Sequence, residues 1–257
     1  MKYQDNIKAV AALQPDYLGF IFYDKSARNF KGNMPQIPDS IKKVGVFVDA
    51  PLDFVIDKVK KYDIDAVQLH GNESAEYCEE LKKIINNDTD RSQKFSKPLR
   101  SSHRNDGGTK VSDLQMYKNE NQNDAETART ELVEKPVPSG VEVWKVFSVK
   151  DKFDFGQLLP YERTVDCFLF DTKGKEKGGN GFTFDWSVLN DYPSKTPFIL
   201  SGGIGLDEID QIRMMLKTRL PMYAIDVNSK LEDQPGLKNI EKVTHFLTNL
   251  RVRRDVV

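Results

Sequence analysis

The chain has 257 residues, a formal net charge of −1, and 39% hydrophobic against 30% charged residues. That length suits one (β/α)8 barrel or two small domains. The near-zero charge excludes the basic field of a nucleic-acid binder, and the longest apolar run, residues 17–23, is far too short to span a membrane.

The first residues, Met1-Lys2-Tyr3-Gln4-Asp5-Asn6, hold no signal-peptide core. They lead into a predicted helix on which Ile7, Val10 and Ala11 share a face, with Asp5 near its N-cap. Apolar runs follow at residues 17–23, 44–48, 66–69, 141–147, 167–170, 198–200 and 223–227. Most are almost uninterrupted, as strands covered on both faces should be. Amphipathic segments separate them. Leu52, Val55, Ile56 and Val59 line one helical face; so do Tyr77, Cys78, Leu81, Ile84 and Ile85. Ile240, Val243, Phe246, Leu247 and Leu250 line the last helix. The alternation predicts a parallel sheet in one α/β domain, a barrel or a doubly wound sheet. The expected architecture is a TIM (β/α)8-type barrel over residues 1–257 with its first strand missing, since seven runs are found and eight close a barrel. Residues from about 86 to 139 are rich in Asn, Asp, Lys, Ser and Glu and read as a disordered, solvated insertion. It follows a helix and precedes a strand, which assigns it to the bottom face of the barrel. Cys78 and Cys167 form neither a disulfide framework nor a metal spacing, and the default is a soluble cytoplasmic protein.

In such a barrel the chemistry lies where strands end. After the first run come Lys25 and Arg28, candidates for holding an anion. The third run ends at Gln68-Leu69-His70-Gly71, with His70 at a site position or serving as a packing histidine. The fifth ends at Asp171, a carboxylate that is costly at the end of an apolar strand unless paired or functional. A glycine-rich stretch, residues 177–182, follows it. The sixth leads into Ser201-Gly202-Gly203-Ile204; the seventh contains Asp226 and ends at Asn228-Ser229. These last two loops are where barrels hold phosphate on backbone N–H groups.

Taken together, the strings DYLGFIFYDKSARNF, VGVFVDAP, VQLHGNES, FLFDTKGKEKGGNGFTFDWSVL, PFILSGGI and AIDVNSKLEDQPGLKN resemble the phosphoribosylanthranilate isomerase family of tryptophan biosynthesis. They cover nearly all of the chain outside the insertion. The resemblance implies an aldose–ketose isomerase performing an Amadori rearrangement. N-(5-phosphoribosyl)anthranilate becomes the 1-amino-1-deoxyribulose 5-phosphate product, with no metal or organic cofactor. It makes Asp171 the general acid at the furanose ring oxygen and Arg28 the clamp on the anthranilate carboxylate. His70 and Asp226 join the substrate site, and Gly202, Gly203, Asn228 and Ser229 hold phosphate. Lys230 stands where the family commonly has glycine. The implied partner is a small phosphorylated substrate, with no nucleic acid or membrane; the residues carry no reading of oligomeric state.

The resemblance also implies a general-base cysteine in a Lys-(Val/Ile)-Cys-Gly motif ending the first strand, and Met1 aligns just after that motif. Cys167 shares the strand parity of Asp171 but lies four residues, roughly 13 Å, deeper. Cys78 falls on a helix. The chain as written is therefore expected to be inactive and marginally stable or insoluble. The alternative is a catalytically dead barrel that keeps phosphate-ligand binding or a scaffold role. Indole-glycerol-phosphate synthase, a third phosphate-binding barrel, expects a lysine acid and a longer N-terminal segment.

Overall fold

A computed structural model describes residues 1–87, 140–150, 152–172 and 183–251. All belong to the unit formed by residues 1–88 and 138–257. The insertion expected at about 86–139 lies almost wholly outside the described residues, as does the glycine-rich stretch.

The chain begins with α1 (Gln4–Ala11) and β1 (Tyr17–Ile21). Next come β2 (Lys42–Phe47), α2 (Leu52–Tyr62), β3 (Ala66–Leu69) and α3 (Ala75–Asn87). Beyond the insertion lie β4 (Glu142–Val149), β5 (Cys167–Thr172), β6 (Phe198–Leu200), α4 (Ile209–Met215) and β7 (Met222–Ile225). A hairpin of β8 (Glu232–Gln234) and β9 (Leu237–Lys238) precedes α5 (Ile240–Arg251). The first seven strands form one parallel sheet in chain order. Each expected run is a strand, and the fold is the expected α/β one.

The apolar runs have a direct structural cause. On β5, Cys167 and Leu169 pack in an interior cluster with Val44, Ala66, Trp144, Val146 and Ile199. Phe168 and Phe170 point the other way, into the layer beneath the helices. Both faces are buried, so alternation in direction produces no alternation in polarity. The sheet curls far enough for the bases of its outermost strands to meet, with the Tyr17 and Tyr223 hydroxyls 2.7 Å apart. Beside them Glu142 is buried, accepting from Trp144 Nε1 at 2.9 Å and pairing with Lys42 at 3.2 Å. The Met1 amino group donates to the Gly19 carbonyl on the outer edge of β1.

Several boundaries differ from the sequence reading. At the start of α1 the reading holds: Tyr3 is the N-cap and Asp5 sits near it in the first turn, where its charge suits the helix dipole. Ile84 is 37% exposed on α3, on the flank of the buried Cys78–Leu81–Ile85 stripe. α3 reaches Asn87, a little into the segment read as insertion. Asn86 then binds the far end of that segment: its Oδ1 accepts the Val141 N–H at 2.9 Å. β7 ends at Ile225, which makes Asp226 the first loop residue rather than a strand residue. Its N–H still donates to Leu200 across the sheet at 2.8 Å, but its side chain turns to Ser201.

Candidate active site at the strand ends

The interior parity of β5 continues from Cys167 and Leu169 to Asp171, a carboxylate raised into the mouth of the curled sheet and 4% exposed. One oxygen, Oδ1, accepts the N–H of Thr172 at 2.9 Å; the other, Oδ2, lies 3.2 Å from Nε2 of His70. The two side chains singled out at the ends of the third and fifth runs therefore touch.

His70 is held from behind. Glu73, two residues past Gly71, accepts the Gly71 N–H at 2.9 Å and the Asp49 N–H at 2.8 Å. Lys145 of β4 lies in the same buried space, 3.2 Å from Glu73 and 2.9 Å from the Gly71 carbonyl. The pair is almost fully enclosed, with side-chain exposures of 4% and 2%. Gly71 itself leaves no room for a side chain: a Cβ there would fall 2.3 Å from Asp49 Oδ1.

The Ser-Gly-Gly loop after β6 packs directly against Asp171. Gly202 has φ +89° and Gly203 φ +67°, in the left-handed region that glycine adopts without strain. A Cβ on Gly202 would sit 2.4 Å from the Thr172 nitrogen and 2.6 Å from Asp171 Oδ1. Ser201, just before it, donates from Oγ to Asp226 Oδ2 at 3.1 Å. Loss of surrounding water pushes the Asp226 carboxyl above the usual aspartate range, and the nearby Asp171 charge adds to this. Asn228 and Ser229 begin the short 3-10 turn Ser229–Leu231, beside the Ser-Gly-Gly loop. The two loops meet where a Cβ on Gly205 would lie 2.9 Å from Lys230 Cβ.

Arg28, in the loop after β1, faces Glu232 at the start of β8: Nε and a terminal nitrogen lie 2.9 and 2.8 Å from the same oxygen. Lys238 meets the other Glu232 oxygen at 3.2 Å. Burial alone would raise the Glu232 carboxyl, but Arg28 and Lys238 outweigh it and hold it below the ordinary glutamate range. Burial in turn lowers the Lys238 ammonium, against the pull of Glu232. The Met1 amine lies near this cluster; burial first, then Lys238, push it down to about 5.

A family model described as N-(5'phosphoribosyl)anthranilate (PRA) isomerase matches residues 1–106 and 124–249. The chain belongs to the phosphoribosylanthranilate isomerase family. The N-(5'-phosphoribosyl)anthranilate isomerase of Parabacteroides distasonis is 35% identical over 258 residues, covering 97% of this chain and 90% of that protein. The Phocaeicola vulgatus isomerase is 28% identical over 252 residues, covering 98% and 95%. Among solved structures, the phosphoribosyl anthranilate isomerase of Thermotoga maritima superposes with a TM-score of 0.66 at 23% identity, covering 98% of this chain and 96% of that one. Another isomerase, solved with reduced 1-(o-carboxyphenylamino)-1-deoxyribulose 5-phosphate, gives 0.64 at 20% identity, covering 98% and 95%.

Within this family frame, His70, Asp171, Gly202 and Asp226 gather around one point, while Arg28 and Asn228 lie along a line of charges at its side. Lys25, the other candidate anion holder, is exposed. Cys78 is buried on α3 with its thiol pushed up to about 12, chiefly by burial, and Cys167 belongs to the interior cluster below Asp171. Four residues escaped the sequence reading: Glu73, Lys145, Glu232 and Lys238. A signal existed for the last two. They flank a tight Pro235-Gly236 turn, which places two opposite charges side by side on adjacent strands. Among the described residues, no His/Cys/Asp/Glu group is disposed to hold a metal ion, and no helix is long and apolar enough to cross a membrane.

Proposed function

We propose that this chain binds N-(5'-phosphoribosyl)anthranilate and isomerises it to the 1-amino-1-deoxyribulose 5-phosphate product in tryptophan biosynthesis, as a cytoplasmic enzyme. Family membership carries the reaction class. The observation that carries the catalytic assignment is the Asp171–His70 contact at the strand ends. Asp171 is the general acid. It protonates the furanose ring oxygen, the ring C–O bond breaks, and the nitrogen lone pair forms a Schiff base. Loss of the C2 proton to the family's general base, a role that neither Cys78 nor Cys167 is placed to fill, then gives an enaminol, which tautomerises to the ketose. His70 orients the acid through Oδ2 and lines the substrate site. Gly202, Gly203, Asn228 and Ser229 offer backbone N–H groups to the phosphate, with glycine allowing close approach. Asp226, bound by Ser201, lines the sugar pocket, and Arg28 meets the anthranilate carboxylate.

Asp171→Asn tests the reading. In a variant supplied with the family's Lys-(Val/Ile)-Cys-Gly strand ahead of Met1, turnover, followed by chromatographic separation of substrate and product, is expected to fall by about a hundredfold or more, the usual worth of a general acid. Affinity for the reduced product analogue should change little. Retained turnover removes Asp171 as the acid. A second reading, a barrel that binds but does not turn over, is favoured by the burial of both cysteines away from Asp171. Analogue binding by the unaltered chain without turnover would select it.

A further inference from the structure

A chain of buried charges joins the two ends of the proposed substrate site. At one end Arg28 gives two of its donors to a single oxygen, Oε2, of Glu232, whose side chain is only 4% exposed. The second oxygen, Oε1, accepts from Lys238 Nζ at 3.2 Å and from the Gly236 N–H at 3.1 Å. Lys238 Nζ goes on to the Asn228 carbonyl at 2.9 Å and the Asn228 Oδ1 at 2.7 Å. The Lys238 backbone is anchored in turn on Asn6, by reciprocal bonds of 2.8 Å each way. The loop after β1, the hairpin β8–β9, the loop after β7 and α1 are thus tied at one buried point.

We propose that Glu232 and Lys238 are positioning residues that set the guanidinium of Arg28 for a carboxylate-bearing aryl ligand and tie it to the loop that receives phosphate. The inference rests on Arg28 being the carboxylate clamp. A guanidinium is a planar fork of five donors. Fixing two of them on one Glu232 oxygen sets the plane of the fork before a ligand arrives, which lowers the ordering cost of binding. Two cations, Arg28 and Lys238, share the single Glu232 carboxylate. Among these contacts two cations meet one carboxylate, and the Arg28 donors not given to Glu232 are left for a ligand carboxylate. Asn228 receives Lys238 through its oxygens, so the same lysine that steadies Glu232 also fixes the start of the phosphate loop.

The test is calorimetric binding of reduced 1-(o-carboxyphenylamino)-1-deoxyribulose 5-phosphate and of its counterpart lacking the ring carboxylate. The full-length chain, Arg28→Ala, Glu232→Gln and the double variant are compared. For the carboxylated ligand, Glu232→Gln is expected to weaken binding about tenfold, the scale of one well-placed charge-assisted contact. The counterpart should change less than about threefold, and Glu232→Gln should add nothing on the Arg28→Ala background. Equal losses for both ligands, or additive losses in the double variant, overturn the proposal and leave Glu232 a structural residue. An Arg28→Ala variant that binds both ligands normally fails the clamp reading itself, as does an unaltered chain that binds neither. Should Glu232→Gln not fold, Glu232→Gln/Lys238→Met removes the carboxylate together with its more buried cation and leaves only Arg28, the most exposed of the three. The same selective loss is expected there, and an unchanged ratio between the two ligands refutes the positioning role.

Discussion

Glu232 shows how a single residue is governed by its partners rather than by its burial. Its carboxyl is held below the ordinary glutamate value of 4.5 by Arg28 and Lys238 despite desolvation. A carboxylate depressed in the folded state contributes stability that is fully present above its unfolded pKa and is lost as pH falls through the folded value. The chain is therefore expected to lose stability on acidification below about pH 4.5. Chemical denaturation across pH 3–7 should show a shallower acid slope for Glu232→Gln; an unchanged slope means that Glu232 is not an acid-sensitive tie. Gly202 is governed by space. With φ +89° and the carboxyl of Asp171 against the place a Cβ would take, it admits no side chain without moving the acid. In the variant supplied with the family's cysteine strand, Gly202→Ala should lower turnover at least tenfold with a smaller effect on folding. An alanine variant with full activity would show that this loop yields freely.

Elements are placed by pairs that cross between them. Lys145 leaves β4 on the helix side and reaches the loop after β3, where Glu73 also collects the Asp49 N–H of the loop after β2. Three strand ends thus depend on one enclosed ion pair. Removing one partner of such a pair costs about 3–5 kcal/mol, because the other charge is left buried alone. Lys145→Met is expected to lower stability on that scale, whereas Glu73→Gln/Lys145→Met should cost less than the single change. Urea unfolding midpoints decide it; a double variant as unstable as the two single changes summed would mean that the residues act separately. His70 depends on this latch, so its contact with Asp171 is a property of three elements and not of the His-Gly dipeptide.

For the molecule as a whole, Asn86 and Val141 lie on either side of the segment read as an insertion and are joined by a 2.9 Å hydrogen bond. The described unit is thus tied across the gap by its own side chains. Replacing residues 89–137 by a linker of about six residues shortens the loop roughly eightfold. At about 0.6 kcal/mol for each halving, the entropic gain is on the order of 2 kcal/mol. The shortened chain is expected to melt no lower than the parent and to bind the reduced product analogue equally well. A lower melting temperature or a weakened affinity would show that the insertion supports the barrel or the site.

The amino-acid sequence by itself determined the strands, their order and the residues that end them. Strands covered on both faces must be apolar throughout, so each run is visible locally, and the end of a run marks the mouth of the sheet. That is why the places of Asp171, His70 and the Ser-Gly-Gly loop at the strand ends were legible, and why most misplaced boundaries fell at element ends, where periodicity runs out. Only the tertiary structure decided which charges are buried together. Arg28 and Glu232 are 204 positions apart, and Lys145 and Glu73 are 72 apart. Local pattern marks Arg28 after its strand and pairs Glu232 with Lys238 across the Pro235-Gly236 turn, but nothing local says which distant charge each of these residues meets. Their pairing exists because the curled sheet brings distant strand ends to one rim, where a charge excluded from water must find its opposite.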